Sequence, residues 1–175
     1  MVEEFADTDH GGVFLTRSDT ELIARRKEIM DNAMPSGNSK AVQVLLRLAT
    51  LLGREDWAEQ ARRTLDQLAS AMERHPVGFG GLLQGVQEAI EPYREIVLVG
   101  PDRAPFTEAL RGRYEPFRLL VQADGPEGDD IPLLEGRSME EGRTTAYLCE
   151  NYSCRLPVTD PEALIDQLEE RAERS

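Results

Sequence analysis

The chain contains little of the side-chain chemistry that often marks an active site, with two cysteines, two histidines and two lysines among 175 residues. A closed structural zinc site takes four ligands, and His10 and His75 are far apart in sequence, so we expect no metal. Acidic residues outnumber basic ones by 33 to 20, which gives a formal net charge of −13. A nucleic-acid partner requires a basic patch, and this composition therefore argues against one.

Long apolar runs and targeting signals are also missing. No stretch approaches the length of a membrane span, and the start Met1-Val2-Glu3-Glu4 is acidic, unlike a secretory signal. With only two cysteines, we expect a cytoplasmic protein with reduced thiols and no membrane partner. The turn that begins at Gly100 has neither the G-x-G-x-x-G pattern nor a P-loop lysine, so we expect no cofactor.

The first part of the chain, residues 1–92, is predicted to be helical after a loop-rich start. Residues 39–52 are apolar nearly all round, which indicates a helix buried between layers. Residues 56–74 carry a single apolar stripe and end at His75-Pro76, and a third helix stops at Pro92. A buried helix beside a one-faced helix is typical of the inner and outer layers of a helical array.

The second part, residues 93–175, is predicted to be a small Rossmann-like α/β module. The apolar run at 96–99 indicates a strand buried on both faces, and further strands are predicted at 117–121, 131–134 and 144–149. A helix is predicted at 105–113, and Thr159-Asp160-Pro161-Glu162 opens a final helix as a capping box. The fold class is therefore mixed, α+β.

The block from Lys27 to Ser39 has two interpretations. In the structural one, Pro35 sets a turn, Gly37 permits a positive φ, and Ser36, Asn38 or Ser39 caps the following helix. In the functional one, the carboxylates of Glu28 and Asp31 act as acid and base or bind hydroxyl groups. Lys27, Ser36, Gly37 and Asn38 would then help to bind the ligand. The residues alone leave both interpretations open.

Cys149 and Cys154 are the second candidate site, at a strand end and in the loop before the final helix. A thiol near a helix start ionises more easily, which favours a redox pair. The spacing is not Cys-x-x-Cys, however, and free cysteines are commonly buried as small apolar residues. Redox exchange, simple packing and a passive disulfide all remain open for this pair.

Four segments together resemble a known family. They are Gly11 to Thr16, the Lys27 to Ser39 block, the strand that ends at Gly100, and the stretch from Ala146 to Asp160. In this order they look like the C-terminal part of the spermatogenesis-associated thioredoxin-domain proteins. In that family a thioredoxin-like domain precedes a six-hairpin, glycosidase-like α/α toroid that is similar to sugar epimerases and isomerases.

The resemblance implies that residues 1–92 are the final helical hairpins of the toroid and that this chain is a fragment. Its partners would be the rest of the parent chain and a small carbohydrate, with Glu28 and Asp31 at the mouth of the toroid cavity. Because the other hairpins are absent, we expect no turnover of a sugar by this piece alone. The alternative is a non-catalytic interaction module or a thiol-redox accessory module.

Overall fold

A computed structural model describes residues 2–125, 131–150 and 153–172, with two compact units at Met1–Glu91 and Pro92–Ser175. The sequence placed the boundary one residue later, between 92 and 93. Residues 126–130, and Asn151 and Tyr152 of the last family motif, lie outside the described residues.

The first unit consists of helices α1 (Val2–Phe5), α2 (Gly37–Leu52), α3 (Glu55–Arg74) and α4 (Gly80–Ile90), with a 3-10 turn at Pro76–Phe79. The three long helices confirm the predicted ones, and α3 buries a single stripe of residues: Ala58, Ala61, Thr64, Leu65, Leu68 and Met72. The prediction that α2 is buried all round is wrong for this unit, because Val44 is 43% exposed. Its inner face, which includes Val42 and Leu45, is buried.

The second unit consists of β1 (Arg94–Val99), α5 (Ala104–Leu110), β2 (Arg118–Ala123), β3 (Thr145–Glu150), β4 (Ser153–Cys154) and α6 (Pro161–Ala172). The strand order is β2-β1-β3-β4; β1 and β2 are parallel, whereas β3 runs antiparallel to both of its neighbours. The mixed α+β class is confirmed. The strand predicted at 131–134 is wrong: Pro132–Leu134 is a 3-10 turn, where a proline without an N–H group is readily accepted.

The sheet of the second unit has a different composition on each face. One face packs with α5 and α6 around a core of Ile96, Leu98, Phe106, Leu110, Ala146, Leu148, Leu164 and Leu168. The opposite face carries Glu95, Val97 and Val99 of β1 together with Tyr147 and Cys149 of β3. Leu133 and Leu134, both buried, belong to the turn that packs with β1. Strand β1 is therefore buried on both faces, as predicted.

None of the helices in the described part of the chain combines the length and the apolar character that crossing a membrane requires.

Candidate functional site

Asp31 joins the starts of two helices in the first unit. One of its carboxylate oxygens accepts hydrogen bonds from the Ser36 backbone N–H and the Ser39 hydroxyl, both at 2.7 Å. The other accepts from the Gly81 backbone N–H at 2.6 Å, in the first turn of α4. Burial raises the pKa of Asp31, but these hydrogen bonds outweigh it and hold the pKa below its usual value. Both oxygens of this carboxylate are therefore engaged with helix N-termini, where unpaired amides favour an anion.

Asn38 fixes the N-terminal arm against the first turn of α2. Its Oδ1 accepts from the Val13 backbone N–H at 2.8 Å, while its Nδ2 donates to the carbonyl oxygens of Val13 at 3.0 Å and Glu28 at 2.7 Å. Asn38 is only 1% exposed, so its side of these bonds is shielded from water. A Cβ on Gly12 would lie 2.6 Å from Asn38 Oδ1, which explains the glycine there.

Lys27 is paired within the same unit. Its Nζ lies 2.8 Å from an Asp7 carboxylate oxygen and donates to the Gly11 carbonyl oxygen at 2.5 Å. Asp7 also accepts from the backbone N–H groups of Asp9 and His10. Burial raises the pKa of Asp7, but the hydrogen bonds from Lys27 and the two amides outweigh it, so that the pKa falls to about 2. Lys27 thus neutralises Asp7 of the N-terminal segment.

The remaining residues of the predicted block differ in whether the fold already engages them or leaves them able to contact a ligand. Ser36 is the N-cap of α2 and accepts from the Ser39 backbone N–H at 3.1 Å, which confirms the capping interpretation. Gly37 would permit a positive φ, but it is the first residue of α2 and does not adopt one. The Glu28 side chain is exposed, and no hydrogen bond or ion pair to it is found within the described residues. Ligand binding by this block stays a prediction.

The two cysteines lie opposite each other on the hairpin formed by β3 and β4. Cys149 and Cys154 are direct cross-strand partners, and a disulfide joins them. This corrects the expectation of reduced thiols at these positions. The two cysteines differ in solvent access, because Cys149 is only 1% exposed whereas Cys154 is exposed.

A buried arginine contacts both sulfurs. Nη2 of Arg137 lies 3.2 Å from Cys149 Sγ and 3.0 Å from Cys154 Sγ, and the residue is only 8% exposed. Its Nε is buried without a hydrogen-bond partner in the described part of the chain. Burial lowers the pKa of Arg137, and the charge of nearby Glu95 partly offsets this effect. The guanidinium remains charged, because arginine side chains are not deprotonated in proteins.

Two further side chains complete the surroundings of the disulfide. Glu95, 1% exposed, is the direct partner of Cys149 on the neighbouring strand β1. The Tyr147 hydroxyl donates to the Ser138 carbonyl oxygen at 2.7 Å and accepts from its N–H at 3.1 Å. This pair of bonds fixes the backbone next to Arg137. The cluster formed by Glu95, Arg137, Cys149 and Cys154 is called the cysteine cluster below.

Sequence reasoning found the cysteines of this cluster but missed its charged members. Glu95 offered a signal, because it is an acid inside a strand whose next four residues are all apolar. Arg137 offered none, since it is one of many arginines and lies in a segment without a recognisable pattern. Its place beside the sulfurs depends on the turn at Pro132–Leu134 and on Tyr147, which only the folded chain brings together.

Comparison with known proteins agrees with the motifs. No family model matches the sequence. Spermatogenesis-associated protein 20 of Rattus norvegicus and that of Homo sapiens are each 32% identical to this chain over 167 residues, or 90% of it. An uncharacterized protein of Caenorhabditis elegans is 24% identical over 165 residues, or 91% of the chain. The chain spans about a fifth of the length of these relatives, with 21% and 22% of their sequences covered. The predicted resemblance to the spermatogenesis-associated family is confirmed, and the similarity is consistent with a C-terminal part of such a protein.

Proposed function

We propose that the Pro92–Ser175 unit is a thiol–disulfide exchange module in which Cys149 and Cys154 alternate between the disulfide and the dithiol. The observation that carries this proposal is the buried Arg137 Nη2 within 3.2 Å of both sulfurs. Passive packing of two cysteines requires no cation at this place.

The charge of Arg137 is better matched to a thiolate than to a disulfide. Disulfide sulfurs are neutral and weak hydrogen-bond acceptors, whereas a buried guanidinium costs several kcal/mol unless it is well compensated. When the disulfide is reduced, one sulfur becomes a potential thiolate directly beside the cation. A neighbouring cation lowers a thiol pKa and so stabilises the reduced form. The site therefore favours a disulfide that is readily reduced and reformed.

The redox partner in this proposal is another dithiol protein. Cys154 is exposed and can meet the sulfur of a partner, whereas Cys149 is shielded. The family resemblance implies a thioredoxin-like domain in the parent chain, and such a domain carries the required chemistry. This unit would then act as an accessory that exchanges a disulfide with that domain.

The proposal is tested by equilibrating the purified chain in mixtures of a reduced and an oxidised dithiol, followed by alkylation and mass spectrometry. Arg137→Gln should make the disulfide about tenfold harder to reduce, a change of about 30 mV, because the thiolate loses its cation. Arg113→Gln is the matched control, since Arg113 pairs with exposed Glu169 at 2.8 Å in the same unit. Equal equilibrium constants for all three proteins, or a disulfide that is reduced only when the chain unfolds, would contradict the proposal.

A second proposal concerns the Met1–Glu91 unit, which we interpret as the last hairpins of an α/α toroid that binds a small carbohydrate. The observation that favours it is the exposed Glu28 carboxylate, for which the described residues provide no hydrogen bond. Asp31, by contrast, already accepts three hydrogen bonds. Of the predicted pair, Glu28 is thus the acid that remains available to a sugar hydroxyl.

Sugar binding by the full-length parent tests this second proposal. Glu28→Gln should weaken binding about tenfold, since hydrogen bonds to a charged group contribute about 1.5–3 kcal/mol. Glu21→Gln, an exposed acid in the same segment, is the control and should leave binding unchanged. Equal affinities of the Glu28 variant and the unmodified parent would remove Glu28 from the site.

A further inference from the structure

We infer that the carboxylate of Glu95 accepts the proton of the Cys149 thiol during disulfide exchange. This inference rests on the proposed exchange function and names the residue that would allow the buried sulfur to react. It starts from the register of the sheet and from the difference in exposure between the two cysteines.

Three residues of the cysteine cluster form a row across three strands. Glu95 on β1 is the direct partner of Cys149 on β3, and Cys149 is in turn the direct partner of Cys154 on β4. Directly opposed residues of antiparallel strands point to the same face, with Cβ atoms about 5 Å apart. The carboxylate and both sulfurs therefore share one face of the sheet, next to the Arg137 guanidinium.

The two cysteines differ in solvent exposure, and this difference gives them different roles in the exchange. Cys154 is exposed and is the sulfur that a substrate can reach, whereas Cys149 and Glu95 are each only 1% exposed. A buried thiol cannot pass its proton directly to bulk water, so a neighbouring protein group must accept it. Thiols react as thiolates, which makes this proton transfer a requirement for the second step of exchange.

The possible acceptors on this face are few. Within the described residues, the titratable side chains that the four strands carry on this face are Glu95, Tyr147 and the two cysteines, and Arg137 covers them. The Tyr147 hydroxyl is held by the Ser138 backbone, and a guanidinium has no acceptor atom. Among the described residues that the strands carry on this face, Glu95 is therefore the carboxylate next to Cys149.

The reaction balances in two steps. First, the Cys154 thiolate attacks a substrate disulfide, a mixed disulfide forms, and one substrate sulfur leaves as a thiolate. Next, the Cys149 proton moves to Glu95 and the Cys149 sulfur attacks Cys154 Sγ. The bond between Cys154 and the substrate breaks, and the second substrate sulfur leaves as a thiolate. The substrate is reduced by two electrons, the cysteine pair is oxidised, and Glu95 holds the proton.

A chromogenic aryl disulfide tests the inference, because each half of it absorbs visible light once it is released as an aryl thiolate. The reduced chain should release one equivalent as Cys154 reacts and a second as Cys149 closes the disulfide. Glu95→Gln should slow the second release about tenfold or more at neutral pH, and should move its pH profile upward, without slowing the first. Glu169→Gln, an exposed acid in the same unit, should change neither release.

The outcomes separate the inference from the function on which it rests. Release of a single equivalent by the unmodified chain, with a persistent mixed disulfide on Cys154, would overturn the exchange function itself. Two equivalents, with the same second rate and pH profile in Glu95→Gln, would overturn the role of Glu95 alone.

If Glu95→Gln fails to fold, a second measurement on the unmodified chain tests the inference. In the unmodified reduced chain, the carboxyl carbon of Glu95 should respond in an NMR titration when Cys149 ionises. An unresponsive Glu95 signal would also overturn the inference.

Discussion

The two units both hold a partly or fully buried charge, but they compensate it in different ways. Asp31 of the first unit accepts hydrogen bonds from Ser36, Ser39 and Gly81, which match its charge and its two oxygens. Arg137 of the second unit contacts two neutral sulfurs and leaves Nε without a hydrogen bond in the described residues, and the charge of Glu95 offsets its burial only in part. A well-matched charge fits a structural role, whereas the incomplete compensation of Arg137 fits the thiolate state of the exchange that we propose.

This difference favours the cysteine cluster over Asp31 as the place of the chemistry that we propose. Asp31 has its oxygens engaged and a lowered pKa, so it is poorly suited to exchange a proton near neutral pH. The cysteine cluster combines a cation, a carboxylate and two sulfurs that can change charge. Of the two proposals, exchange by the Pro92–Ser175 unit therefore has the stronger support.

The largest expected effect comes from Asp31→Ala. This change removes the acceptor of two backbone amides and one hydroxyl at the starts of α2 and α4, and should cost the first unit about 3 kcal/mol. Denaturant unfolding followed by circular dichroism measures the loss. Asp19→Ala, an exposed acid in the same unit, is the control. A loss as small as that of the control would show that the carboxylate is not a structural anchor.

The sequence predicted the local part of this anchor and missed the long-range part. Capping by Ser36 follows from residues within one turn of a helix, and it is confirmed. The bond from Gly81 to Asp31 joins residues 50 positions apart, and the contact of Arg137 with Cys149 depends on the β1–β3 sheet and its covering turn. Periodicity and capping rules describe neighbours along the chain, so they predicted the long helices and strands β1, β2 and β3 but not these partners.

A smaller loss of stability is expected when the pH is lowered, again in the first unit. The pKa of Asp7 is about 2 in the folded chain against a usual value of 3.8. The stabilisation is therefore present above pH 3.8 and is lost as the pH falls towards 2, by about 2 kcal/mol. Asp7→Asn should remove this part of the pH dependence in unfolding curves measured between these values. An unchanged slope in the variant would show that the Lys27 pair does not contribute to it.

The smallest loss of stability is expected from reduction of the disulfide, and it should affect the second unit but not the first. The cysteines are only five positions apart, so the closed loop contributes about 2 kcal/mol at most in the chain-entropy model. Stabilisation of the thiolate by Arg137 should reduce the net cost to about 1 kcal/mol, confined to the second unit. In Arg137→Gln the cost of reduction should rise by about 1 kcal/mol, because the dithiol loses its cation while the disulfide loses only a weak contact.

Unfolding of both proteins with and without reductant completes a double-mutant cycle, and the Arg113→Gln control should show no coupling. A coupling of zero for Arg137 would mean that the arginine is indifferent to the redox state, and that its burial beside the sulfurs serves packing alone.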